Sequence, residues 1–100
     1  MKELKKLYDE GIGFLNFAED EDLEEASSDV LDWIDECDFN YGEFMEGWKL
    51  MYDEAHEPYV EIKGKIYGKK GSKITTPISG KLLREWINKM LDFLRPMLKQ

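Results

Sequence analysis

Tyr59-Val60-Glu61-Ile62-Lys63-Gly64-Lys65-Ile66-Tyr67 decides the fold class, because here the apolar residues change from helical spacing to a period of two. Val60, Ile62 and Ile66 are expected to face one way and Glu61, Lys63 and Lys65 the other, as a half-buried strand requires. Gly68-Lys69-Lys70-Gly71 reads as a turn, and Ser72 to Thr76 as the returning strand. A two-stranded hairpin is marginal alone in water, so its apolar face must lean on helices or pair with another chain.

On both sides of this hairpin the spacing is helical. Leu4, Leu7, Tyr8, Ile12 and Leu15 recur at offsets of three and four and predict a helix over about residues 2–17, weakened by Gly11 and Gly13. Leu23, Ala26, Val30, Leu31, Ile34 and Cys37 predict a second over about 20–37, flanked by Trp33. Asn40 followed by Glu43 has the spacing of a capping pair. It would open a third helix carrying Tyr41, Phe44, Met45, Trp48, Met51, Tyr52 and Ala55, with His56 at its end and Pro58 closing it. Thr76-Pro77 would start the last helix, whose stripe is Leu82, Leu83, Trp86, Ile87, Met90, Leu91 and Leu94, with Pro96 at its end. The expected fold is α+β and mostly helical, four amphipathic helices with a β-hairpin between the third and the fourth.

The chain has 100 residues, 42% apolar and 36% charged, with thirteen aromatic rings. That length suits one domain, and the apolar content can offset the entropy of ordering it. No apolar run approaches the roughly 20 residues needed to span a bilayer, and Met1-Lys2-Glu3-Leu4-Lys5-Lys6 has no signal-peptide character. Cys37 is the only cysteine, so no internal disulfide can form and a reducing cytoplasm is the expected location.

Charge is distributed unevenly. Residues 1–62 hold 20 acidic and 4 basic side chains, whereas residues 63–100 hold 2 acidic and 10 basic. Between Glu19 and Asp38 eleven carboxylates occur without a lysine or arginine. Like charges at helical spacing cost roughly 0.2 to 0.5 kcal/mol per pair, and anions near a helix C-terminus also oppose the backbone dipole. Such a breach of local rules marks either a solubilising face or a surface kept for a basic partner. The candidate contact residues are Asp22, Glu25, Asp29, Asp32, Asp35, Glu36, Asp38 and Glu43. Carboxylates along a helix can imitate the spacing of phosphates, so the expected function is stoichiometric occupancy of a basic, nucleic-acid-binding surface. Inhibitors carried by mobile elements and immunity proteins for nuclease toxins act in this way as a class.

Two alternatives use other features. Lys63, Lys65, Lys69, Lys70 and Lys73 lie near Tyr59 and Tyr67 and could grip phosphates, although the net charge of −8 opposes nucleic-acid binding. Trp33, Phe39, Tyr41, Phe44 and Trp48 gather beside the densest acid and could anchor a homo- or hetero-oligomer.

Catalysis has less to build on. His56 and Cys37 are single copies, with no second histidine or cysteine to complete a dyad or a zinc site. Asp35 to Glu46 has the length of a calcium loop, but its third and fifth positions are Cys37 and Phe39 and its sixth is Asn40 instead of glycine. Gly64, Gly68 and Gly71 lack the order of a phosphate loop. No enzymatic activity, metal or cofactor is expected.

Overall fold

The structure is a computed structural model that describes residues 3–42, 44–68 and 76–99. Its order is α1 (Leu4–Leu15), α2 (Asp20–Glu25), α3 (Ser27–Tyr41), β1 (Lys49–Tyr52), β2 (Pro58–Ile62), β3 (Lys65–Gly68) and α4 (Gly80–Leu98). The chain is therefore α+β and mostly helical, with the sheet between α3 and α4.

The helix α4 is the hub. Leu83, Trp86, Ile87, Met90, Leu91 and Leu94 are buried on the face its periodicity marked out, and α1, α2 and α3 all pack against it. It starts at Gly80, later than the Thr76-Pro77 start read from the sequence, because the Ser79 hydroxyl caps it by accepting from the Leu82 amide at 3.1 Å. Nor does it stop at Pro96. The proline lies within its last turn, and the helix runs to Leu98.

Two glycines set how closely the helices approach. A Cβ on Gly11 would strike the Trp33 ring, so this residue is the seat on which α1 meets α3. Trp33, expected to flank its stripe, is 3% exposed, and its indole donates to the Leu7 carbonyl at 2.7 Å. A Cβ on Gly80 would collide with the Asp20 carbonyl, so α4 begins in direct backbone contact with the start of α2. Arg84 then ties the same corner: it pairs with Asp20 at 3.0 Å and donates to the carbonyls of Leu15 and Phe17.

Three assignments change. The helix expected over 20–37 divides at Ala26 into α2 and α3, and α3 continues to Tyr41, past the supposed cap Asn40. The helix expected from Asn40 to Pro58 is absent. Gly42 and Gly47 have φ of 109° and 79°, which break the helical path, and residues 49–52 form a strand instead. Pro58 opens β2, and His56 sits in the β1–β2 turn with φ of 61°. That turn is held by the Asp53 carboxylate, which accepts from the amides of Ala55 and Glu57 at 2.9 Å.

The stretch 59–67, read as one strand, contains two. Lys63 and Gly64 both have positive φ, 49° and 85°, as a two-residue primed hairpin turn needs. Alternation passes through such a turn unbroken, but the faces do not. Ile66 lies opposite Glu61 in the register, whereas Val60 and Ile62 belong to the other face, so the three apolar residues do not share a side. The expected turn at 69–71 and the returning strand from 72 lie outside the described residues, except that Thr76 bridges in parallel to Tyr67.

The sheet order is β1-β2-β3, antiparallel throughout. Leu50, Val60 and Tyr67 stand in one cross-strand row and join the main core. Beneath them Trp86 meets Trp48 and Tyr67 edge-on, with ring centroids 5.5 Å apart in both cases.

Candidate acidic interface

The acidic run occupies α2 and α3, whose apolar stripe of Leu23, Val30, Leu31, Ile34 and Cys37 is buried against the core. Trp33 is buried beside that stripe, and most of the other positions of both helices face outward and are filled with Asp and Glu.

The structure divides the candidate residues. Asp22, Glu25 and Asp29 are exposed and, with Phe17 and Ala26, line an open cleft of about 450 Å³ at the junction of α2 and α3. The junction itself makes the cleft: the break at Ala26 turns α3 away from α2 and lets carboxylates from both helices surround one hollow. Among the described residues none of the three is ion-paired. Phe17 supplies an apolar wall that sequence reading did not place there. Its signal was weak, a phenylalanine just past the first apolar stripe.

Asp32, Asp35 and Asp38 are used differently. Asp32 accepts from the Tyr52 hydroxyl, Asp35 accepts from the Trp48 indole at 3.3 Å, and Asp38 accepts from the Phe44 amide at 2.6 Å. They fasten β1 and the segment leading to it alongside α3. The hydrogen bond to Asp32 also holds the Tyr52 proton and raises that phenol above its ordinary pKa of 10.0, with slight desolvation acting in the same direction. Glu36 is half-buried with its backbone carbonyl taken by the Asn40 side chain at 2.8 Å, and Glu43 lies outside the described residues.

Neither of the described basic candidates, Lys63 and Lys65, is paired with this face. Lys63 pairs with Glu46 at 3.3 Å, and Lys65 lies 5.1 Å from the centroid of the Tyr67 ring. Among the described residues the one cation paired with a carboxylate of the 19–38 run is Arg84, on Asp20. Lys69, Lys70 and Lys73 lie outside the described residues. Tyr59 is buried, and Tyr67 packs between Lys65 and Trp86.

Of the aromatic cluster, Trp33 and Trp48 are core residues, and Tyr41 and Phe44 are half-buried against the core. Phe39 is the exception, 87% exposed on α3 next to the acidic positions. No helix among the described residues is long and apolar enough to cross a membrane. No protein-family model, curated protein or solved structure matches the chain.

Proposed function

We propose that this is a protein-binding domain that acts by stoichiometric occupancy, laying its acidic α2–α3 face on a basic surface of the kind that binds nucleic acid. The observation that carries the reading is the cleft of Asp22, Glu25 and Asp29, where three exposed carboxylates from two helices converge and no cation of the described chain answers them. Convergence of like charges costs free energy in the isolated domain and is recovered against a positive partner. A rim of carboxylates around an apolar wall suits lysine and arginine, whose aliphatic stems pack on Phe17 while their heads meet the acids.

The test compares the immobilised protein with a variant carrying Asp22→Lys, Glu25→Lys and Asp29→Lys. Basic proteins should be retained by the parent and not by the variant, and duplex DNA or salt should elute them, since both compete for a positive surface. Circular dichroism should be unchanged, because none of the three residues holds another element in place. Equal retention by the variant would refute the reading.

A second reading, an assembly subunit, is favoured by the exposure of Phe39, an aromatic residue free to anchor another chain. Sedimentation of the parent and Phe39→Ala separates the two. An oligomer lost on Phe39→Ala supports assembly, whereas a monomer in both supports occupancy of a separate partner.

A further inference from the structure

The two edges of the sheet end differently. The contact between the Asp53 amide and the Glu57 carbonyl, at 3.0 Å, fixes which pairs of β1 and β2 exchange hydrogen bonds. In an antiparallel ladder bonded and non-bonded pairs alternate, so Met51 with Tyr59 and Lys49 with Glu61 are bonded pairs, while Leu50 with Val60 and Tyr52 with Pro58 are not. Pro58, which has no amide hydrogen, falls on a non-bonded pair as it must. The amide and carbonyl groups of Leu50 and Tyr52 therefore point away from the sheet.

On the opposite edge, the same alternation directs Ile66 and Gly68 outward, and both are satisfied. The Gly68 amide donates to the Thr76 carbonyl at 2.7 Å, and the Thr76 amide donates to the Ile66 carbonyl at 3.1 Å. No group among the described residues does this for Leu50 and Tyr52. The surroundings of this open edge are acidic: Asp32 and Asp35 reach it through Tyr52 and Trp48, and Asp53 and Glu54 follow the strand directly. Between residues 44 and 57 the lone lysine or arginine is Lys49, which stands on the other face of the strand, opposite Glu61.

We infer that the open edge of β1 receives an extended, lysine- or arginine-bearing segment of the basic partner as a fourth strand, antiparallel, through the outward backbone groups of Leu50 and Tyr52. The inference deepens the acidic-surface reading and rests on it. Residues of the added segment that pair with Leu50 and Tyr52 turn their amides to β1 and their side chains to the α3 side, where Asp32 and Asp35 stand. A basic residue at those alternate positions satisfies both requirements. A second copy of β1 does not, because it would present Tyr52 and Leu50 at those positions instead of a basic residue.

The probe is a short capped peptide alternating lysine and valine, added to the isotopically labelled protein. The amide resonances of Leu50 and Tyr52 should shift and gain protection from hydrogen exchange. Methylating the lysine amides, which face β1, should weaken binding at least about tenfold, while methylating the valine amides, which face away, should change it less than about twofold. Equal effects of the two methylations would overturn the inference. So would shifts confined to Asp22, Glu25 and Asp29, which would leave the acidic-surface reading standing, or a dimer with the Leu50 and Tyr52 amides already protected. Undiminished binding of a peptide with glutamate in place of lysine would instead refute the acidic-surface reading itself.

Discussion

Two halves of one acidic run have different roles in this molecule. Asp22, Glu25 and Asp29 surround an open cleft, whereas Asp32, Asp35 and Asp38, only a few positions further on, hold Tyr52, Trp48 and the Phe44 amide. A uniform stretch of carboxylate in the sequence thus comprises three members that are not ion-paired among the described residues and three that fasten neighbouring segments to α3. The difference comes from what lies alongside. β1 runs beside the second half of the run and brings donors to it, while among the described residues no cation pairs with Asp22, Glu25 or Asp29.

The most severe way to break this comparison is to remove the support beneath both halves. Trp86 packs against Trp48 and Tyr67, so Trp86→Ala should cost about 3 to 5 kcal/mol, a large fraction of the stability of a small domain. Chemical denaturation should show the midpoint collapse or the cooperative transition vanish. A near-unchanged midpoint would mean that α4 does not carry the sheet.

Next in size is a direct contrast between the halves. Asp38→Ala leaves the Phe44 amide without its acceptor and should destabilise by about 1 to 2 kcal/mol. Asp29→Ala removes repulsion together with a favourable charge in the first turn of α3, two small opposing effects, and should leave stability within about 0.5 kcal/mol of the parent. Equal losses from the two would erase the distinction.

Tyr52 sharpens it through pH. Its folded pKa is raised above the unfolded value, so the stabilisation is fully present below pH 10.0 and is lost as pH rises through the folded value. Ultraviolet titration of the phenol should show a late ionisation, and Asp32→Asn should bring it earlier. Tyr52→Phe should flatten the alkaline limb of the stability profile and lower stability at neutral pH by the contribution of the hydrogen bond to Asp32.

How far this arrangement was legible can be argued from particular residues. The stripe of α4 and that of α3 were readable because burial follows a period that sequence displays directly. The segment from Tyr41 to Tyr52 was not, since Tyr41, Phe44, Met45, Trp48, Met51 and Tyr52 meet helical offsets as well as they fit a loop and strand. Only the positive φ of Gly42 and Gly47 decides between them, and glycine in a sequence does not announce its φ. The Lys63-Gly64 turn escaped for a related reason: a two-residue turn preserves alternation while exchanging faces. The charge run itself was plain. Which of its members were free was hidden, because that depends on β1, the strand whose place had been given to a helix.

The smallest expected effect concerns the basic hairpin. Lys63 and Lys65 are exposed and contact Glu46 and Tyr67, not the acidic helices, so changing both to glutamine should alter stability by no more than about 0.5 to 1 kcal/mol. Added salt should not rescue that loss. A larger loss, rescued by salt, would return part of the acidic run to internal charge balance.

Cys37 is the last buried residue of the α3 stripe and is fully buried. As the only thiol of the chain, it gives the protein a built-in clock. A thiol reagent too large to enter a packed core reaches it only when α3 lifts from the core, so the rate of labelling counts those openings without any engineered probe. The same burial keeps two folded copies from joining through a disulfide, so oxidative cross-linking would report opening and never a native encounter.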